Sequence, residues 1–530
     1  DKKWDVANPP TDGTLGGWGW HDIHIDTSTG TWTTLDVAPD GQTIVFDLLG
    51  DLYTMPIAGS EDGSQVTCIA SGRQWDMQPR FSPDGKWIAF VSDRTGENGK
   101  AGDNIWVMRP DGSGARQITK ESFRLVTQPV WTPDSQNIVA RKHFTSRRSL
   151  GAGEMWMYHI SGKTDGLQLT AKTSDQKDTG EPSVSADGRY LYYSLDASSG
   201  DAFRYDKDSN TGIYAIDRLD MQTQQTERLI AGPGGACRPC PAPDGKRIAY
   251  VRRVRGQSEL FVMDIASGVS RLVYDKLDRD NQETWAVHGV YPAMAWMPDG
   301  KSLVFWAGGK IRRVEVSERI EPASGEALLP ASSVIPFKVR GTRSIADAIR
   351  FPVEVAPATF QARMIRNTKV SPLGDKVVFT ALGHLWVAPF SEGSIGTPAR
   401  LTTDEENFEY YPSWSRDGQQ IAYVTWNDDR LGSVRVASSQ GGEGRAITTE
   451  PGQYLNPAFS PDGQTLVFEK TGGGYITTPI WGRELGVYAV ASGGGPARLI
   501  SKRGERAQFG AESDRVYLTL SEPEKDSDKV

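Results

Sequence analysis

The phrase FSPDGKWIAF, Phe81 to Phe90, recurs along the chain, and that recurrence restricts the fold more than any other feature. Pro83-Asp84-Gly85 carries the chemistry of a tight turn: Pro presets φ, Asp suits the next position, and Gly takes the positive φ that closes a hairpin. The strand that follows, WIAFV, is apolar at nearly every position. A strand with one wet face alternates, whereas an apolar run is covered on both faces. A short antiparallel sheet covered on both faces needs a neighbour on each side, and a ring of repeated sheets supplies one.

The third turn residue falls at Asp40, Asp84, Asp134, Asp187, Asp244 and Asp299, at spacings of 44, 50, 53, 57 and 55 residues. The pattern lapses for 74 residues and resumes at Ser371–Gly374, where Leu373 stands in the Asp slot. It continues at Asp417 and Asp462, and a decayed copy, FGAESDRVYL, starts at Phe509. In the second copy further strands are legible at Asn104–Met108 and Ala115–Thr119. Four short antiparallel strands per repeat is the arithmetic of a β-propeller blade, at roughly 40–50 residues each. The expected fold is all-β: tandem propellers, the first six-bladed, the second incomplete in this chain. The expected boundaries are an N-terminal arm over 1–30 holding a candidate closing strand, a six-bladed propeller over 31–340, a junction over 341–368, and the first part of a second propeller over 369–530. A chain of 530 residues exceeds one ordinary core, in keeping with two domains.

A net charge of −8 argues against a nucleic-acid partner, which needs a basic face. No apolar run approaches ~18 residues, so no membrane span is expected. The opening DKKWDV has neither a basic nor an apolar leader region, which fits a cytosolic chain or one whose signal peptide is gone. Cys237 and Cys240 form CRPC, but the motif runs into a repeat turn with no βαβ setting. Incidental small buried residues are the simpler reading, with a disulfide, redox or metal role as the alternative.

No catalytic constellation emerges. There is no H-x-H, H-E-x-x-H, G-x-S-x-G, Walker loop or dinucleotide fingerprint, and the six histidines are scattered. His21 and His24 lie in an alternating, strand-like segment that puts them on opposite faces. The run Asp278–Glu283 approaches a calcium loop but lacks its glycine. Two segments interrupt the blade pattern with charge: RKHFTSRRSLGAGEMW, with Arg141, His143 and Arg148, and LDRDNQETWAVHGVYP, with Asp280, Glu283 and His288. Arg252 and Arg253 follow a central strand and add cations. Propeller loops gather at the two faces and around the channel, where ligands and partners dock. These eight residues are the candidate contacts to a ligand or a neighbouring domain; solvated loops with internal ion pairs are the plainer reading. No catalytic residue and no metal ligand is expected in the chain.

The copies F-S-P-D-G-K-x-I-A-F and D-N-I-W-V-M resemble the repeat of TolB-like propellers, a WD-like motif shared by translocation proteins, tricorn-type proteases and prolyl oligopeptidases. Longer stretches, among them WDMQPRFSPDGKWIAF, RKHFTSRRSLGAGEMW, LDRDNQETWAVHGVYP and RFPVEVAP, resemble the N-terminal region of large bacterial amidohydrolases. In that family a TolB-like array precedes a metal-dependent (β/α)8 barrel. The resemblance implies a periplasmic or secreted protein whose propellers gate substrate or dock the barrel, with a divalent metal, zinc foremost, in the barrel alone. None of the family's metal ligands carries over, because no H-x-H is present, and the CRPC cysteines depart from its pattern. A free-standing TolB-like binding module and the gating propeller of a serine peptidase are the alternatives. The last repeat reaches only its second strand, so the expected partners are a continuation or second fragment of the same protein, and a peptide or amide substrate.

Overall fold

A computed structural model describes residues 20–96, 99, 102–122, 125–145, 151–201, 212–254, 256–278, 288–316, 329–346, 354–472 and 484–520. Among these residues there is no α-helix, and the regular structure is antiparallel strand. The chain divides into two compact units, Asp1–Phe351 and Pro352–Val530.

In the first unit six four-stranded sheets follow in chain order, over residues 35–70, 76–117, 125–168, 179–230, 237–277 and 295–335. Each is a meander whose strands pair in sequence order. The first strands of neighbouring sheets meet one another around the ring, and that of sheet 6 meets that of sheet 1. An apolar core fills each junction. Phe46, Met55, Ala295 and Val304 pack between sheets 1 and 6; Val45, Leu52, Phe90 and Trp106 between 1 and 2; Val91, Ile105, Ile138 and Ala140 between 2 and 3. Val139, Met155, Leu191 and Tyr193 fill the next junction, Ile216 and Tyr250 the next, and Val262, Leu303 and Phe305 the last. Every sheet thus buries both faces, which is why Ile88–Ser92 is buried along its whole length.

The turn between the first two strands of each sheet is built as its residues dictate. Gly85 has φ +70°, and its N–H donates to Ser82 O at 2.8 Å. The Asp84 carboxylate accepts from Ser82 Oγ at 2.6 Å and from Lys86 N at 3.1 Å. The same hydroxyl–carboxylate bond recurs at Thr132–Asp134, Ser185–Asp187, Ser415–Asp417 and Ser460–Asp462. It holds those four carboxyls below the usual carboxylate range. In the third copy Ser135 replaces the glycine and still adopts φ +59°. In the copy with Leu373, Asp375 takes over and accepts from Ser371 Oγ at 2.7 Å.

The N-terminal strand Trp20–Thr27 pairs antiparallel with Val339–Ala346, forming a two-stranded ribbon beyond the sixth sheet. Ile25 packs on the core between sheets 6 and 1, and Arg343 pairs with the buried Asp51. His21 and His24 lie opposite Ile345 and Thr342 on this ribbon.

The second unit contains a five-stranded sheet over 366–400, four-stranded sheets over 408–446 and 453–501, and a hairpin of Glu505–Phe509 with Val516–Thr519. Val516 and Leu518 of the hairpin pack on the preceding sheet beside Val467 and Val487, while Tyr517 and Leu520 are exposed.

Candidate functional site

The first strand of sheets 2 to 5 carries the same irregularity. Its pairing slips between Met77 and Arg80, Thr127 and Val130, Gly180 and Ser183, and Cys237 and Cys240. Within each slip a polar residue precedes proline: Gln78-Pro79, Gln128-Pro129, Glu181-Pro182, Arg238-Pro239. The strand bulges there, and proline, which has no N–H to give the ladder, is tolerated at such a position. All four adopt left-handed φ, between +54° and +59°. The bulge frees one backbone N–H per sheet, buried and in need of an acceptor.

The acceptor comes from the preceding sheet. Gln78 N–H donates to Asp47 Oδ2 at 2.8 Å, Gln128 N–H to Gln78 Oε1 at 2.8 Å, Glu181 N–H to Gln128 Oε1 at 2.5 Å, and Arg238 N–H to Glu181 Oε2 at 2.7 Å. The segment that leads into sheet 6 completes the circuit. Arg238 Nε donates to Tyr291 O at 2.6 Å, and Glu181 Oε1 accepts from Val290 N at 2.7 Å and from Arg238 Nη2 at 3.0 Å. Gln78 Nε2 then reaches across to His288 O at 3.2 Å. Five sheets contribute side chains to this relay, and the segment before the sixth contributes backbone. Its charged pair, Glu181 and Arg238, is 0% and 5% exposed.

Beside the start of the relay a cavity of about 210 Å³ opens between Trp32, Trp75, Leu49, Asp47, Gln78 and His288. Trp75 is 53% exposed, and its ring rests on Gly50, where an added Cβ would lie 2.8 Å from the indole. Burial pushes the Asp47 carboxyl up to about 6, against hydrogen bonds from the Thr34 hydroxyl and the Gln78 and Thr34 amides. Burial, then the positive charge of Arg141, lowers the His288 imidazole from its ordinary value.

The eight residues singled out in the sequence fall in several places. Arg141 is fully buried in the strand Asn137–Thr145, where Nη2 meets the Asp178 carboxylate at 2.6 and 2.8 Å and Nε donates to Thr179 O. This ties sheet 3 to sheet 4 through Gly153, whose missing Cβ would sit 2.6 Å from Arg141 Nε. His143, on the same strand, is pushed down to about 4 by burial and then by Arg141. The segment that interrupts the blade pattern therefore includes extensions of two paired strands, Asn137–Thr145 and Gly151–His159. Arg252 and Arg253 likewise belong to a strand, Arg247–Val254, rather than following it. Arg252 donates to Gly235 O and Ala231 O and lies over the Tyr250 and Phe261 rings, and Arg253 is buried. His288 reaches the cavity. Arg148, Asp280 and Glu283 lie outside the described residues.

The relay residues and Asp47 were not anticipated, although a signal was present: a polar residue directly before proline in four successive first strands. In the fifth repeat the cysteines drew attention instead. Cys237, Cys240 and Cys68 are all free thiols. The pair flanks the Arg238 bulge, and burial pushes the Cys240 thiol up to about 11. Among the described residues no group of three His, Cys, Asp or Glu side chains could hold a metal ion, and no helix is long and apolar enough to cross a membrane.

No family model matches the chain. It is 27% identical over 157 residues to the uncharacterized peptidase YuxL of Bacillus subtilis, covering 24% of this chain and 23% of that protein. It is 26% identical over 219 residues to the uncharacterized protein Atu1656 of Agrobacterium fabrum, covering 41% and 53%. It is 29% identical over 160 residues to a putative Tricorn-like protease C-terminal subunit of Sulfurisphaera tokodaii, covering 30% and 16%. The chain thus spans between 16% and 53% of the length of these relatives. Among solved structures, a putative TolB from Agrobacterium tumefaciens aligns with TM-score 0.38 and 18% identity, over 53% of this chain and 96% of that one. The tricorn protease aligns with TM-score 0.38 and 14% identity, over 88% and 49%.

Proposed function

We propose that this β-propeller chain is the substrate-receiving part of an exported hydrolase of peptide or amide bonds. The cavity at Trp32, Trp75 and His288 is its point of contact with substrate. The observation that carries this reading is the cavity itself, an aromatic-walled recess with buried polar groups at the start of the relay, the usual composition of a ligand site. The peptidase and protease among the relatives support the class of bond, and the amidohydrolase-like stretches support a downstream barrel as the catalytic partner. Under this reading a divalent metal belongs to that barrel. The described residues of this chain do not fit a metal site. A TolB-like module that holds a partner's peptide is the second reading, favoured by the self-contained closure of the first unit through six inter-sheet cores.

The test is titration of the purified chain with short unstructured peptides while following tryptophan emission. Saturable quenching that is lost in Trp75→Ala, with the melting temperature unchanged, is expected. Absence of a response up to millimolar peptide, or a response that Trp75→Ala leaves intact, would overturn the reading.

A further inference from the structure

The polar atoms that line the cavity are unevenly supplied. Gln78 spends one of its two amide N–H groups on His288 O and its oxygen on Gln128 N–H. Asp47 Oδ2 accepts from Gln78 N–H and from the Thr34 hydroxyl, and Oδ1 accepts only from Thr34 N–H, leaving a lone pair of Oδ1 unspent. His288 Nδ1 is buried and has no hydrogen-bond partner. What remains for a ligand includes the Asp47 Oδ1 lone pair, one N–H of Gln78, and His288 Nδ1, which accepts when the imidazole carries its proton on Nε2.

The charge is uneven as well. Asp47 is 8% exposed, and among the described residues it forms no ion pair; the largest influences on it are burial and hydrogen bonds. A buried carboxylate without a counter-charge is costly, and proteins ordinarily pair it. On the other side of the cavity Arg238 Nη2 lies 3.4 Å from His288 O and is paired with Glu181 at 3.0 Å, and Arg141, whose charge acts on His288, is paired with Asp178 at 2.6 Å. The walls add Trp32 and Trp75, and an indole face attracts a cation within ~6 Å of its centroid. An anionic ligand would meet the buried Asp47 carboxylate here. A ligand with several N–H donors and a positive charge satisfies Asp47 Oδ1, His288 Nδ1 and the indole faces together.

We propose that this cavity seats a primary ammonium group carried on a peptide, either the chain's N-terminal amine or a lysine side chain. The proposal rests on the reading of this cavity as the peptide-receiving point and adds the chemistry by which the peptide is held. It assigns recognition of charge to Asp47, orientation of the N–H donors to His288, and the aromatic wall to Trp75. A volume of about 210 Å³ suits an ammonium group and its first few carbons rather than a whole peptide, so the remainder of the ligand lies outside the cavity. The chain's net charge of −8 favours approach of such a ligand.

The experiment compares three versions of one hexapeptide by calorimetry and tryptophan emission on the full chain: free N-terminus without lysine, N-acetylated without lysine, and N-acetylated with one internal lysine. Either cationic peptide should bind at least tenfold tighter than the neutral one, and which of them does so identifies the source of the amine. Asp47→Asn should bring the cationic peptide to the level of the neutral one. Because that variant changes a buried group, Trp75→Leu serves as a second probe at an exposed position and should weaken the cationic peptide several-fold. Equal binding of all three peptides would overturn the ammonium assignment while leaving the peptide-receiving reading in place. Binding of none would overturn both.

Discussion

The backbone N–H of Glu181 donates to the side-chain oxygen of Gln128 at 2.5 Å, joining the bulged first strands of two neighbouring sheets. Both groups are buried, and the bulge takes that N–H out of the ladder of its own strand. Gln128→Leu removes the acceptor and keeps the bulk. The expected loss is about 1–3 kcal/mol, the cost of an unsatisfied buried donor. Exposed Gln440→Leu should change stability by less than about 0.5 kcal/mol. Urea denaturation of the two variants checks the difference.

Gly85 isolates backbone strain from packing. A Cβ added there would meet nothing closer than Pro39 Cγ at 4.0 Å, yet φ is +70°. Gly85→Val should therefore destabilise by more than ~1 kcal/mol through conformation alone. A melting temperature equal to the parent's would show that the turn relaxes without cost.

Asp47 should give the stability curve an unusual slope. Its folded value of about 6 lies above the ordinary 3.8, so the native state takes up its proton more readily than the unfolded chain. That contribution is fully present below 3.8 and is lost as pH rises through about 6. A shift of this size corresponds to about 3 kcal/mol. Asp103 acts in the same direction, and His143, depressed to about 4, in the opposite one. The parent must therefore be compared with Asp47→Asn, where those contributions cancel. Their stability difference, measured from pH 4 to 7.5, should shift against the parent as pH rises. A difference independent of pH would contradict the assignment.

Thiol titration separates the three cysteines. Cys68 is exposed, whereas Cys237 is fully buried and the Cys240 thiol is pushed up to about 11 by burial. A disulfide reagent at pH 8 should find one fast thiol per native chain and three after denaturation, since reaction needs an accessible thiolate. Two fast thiols, or only one after denaturation without reductant, would contradict this arrangement.

The fold was legible because its signal is local and repeated. Pro83-Asp84-Gly85 and the apolar run after it fix a hairpin within ten residues, and the recurrence multiplies that evidence. Asn104–Met108 is a strand in the structure with the same limits that the residues suggest. The candidate site was less legible because its members are far apart in the chain. His288 meets Asp47 and Gln78 only through ring closure, and Gln78 is 210 residues from the carbonyl it binds. Charge drew attention to Arg141, Arg252 and Arg253, but long cationic side chains also serve as struts between strands. Nothing in RKHFT distinguishes a loop contact from a strand whose arginine reaches Asp178.

The relay also has a direction. From sheet 2 to sheet 5, each bulge donates its N–H to a side chain that lies earlier in the chain, never later. A polypeptide leaving the ribosome therefore presents each acceptor before the donor that needs it. The second sheet can settle on the first, the third on the second, and no intermediate must hold a buried N–H open for a partner not yet synthesised. Only the last step, in which Arg238 and Gln78 take the carbonyls of Tyr291 and His288, waits for the end of the domain. The order of growth is written into the hydrogen bonds, and a circular permutant opened between sheets 3 and 4 would have to make Glu181 before Gln128, reversing that order at one joint.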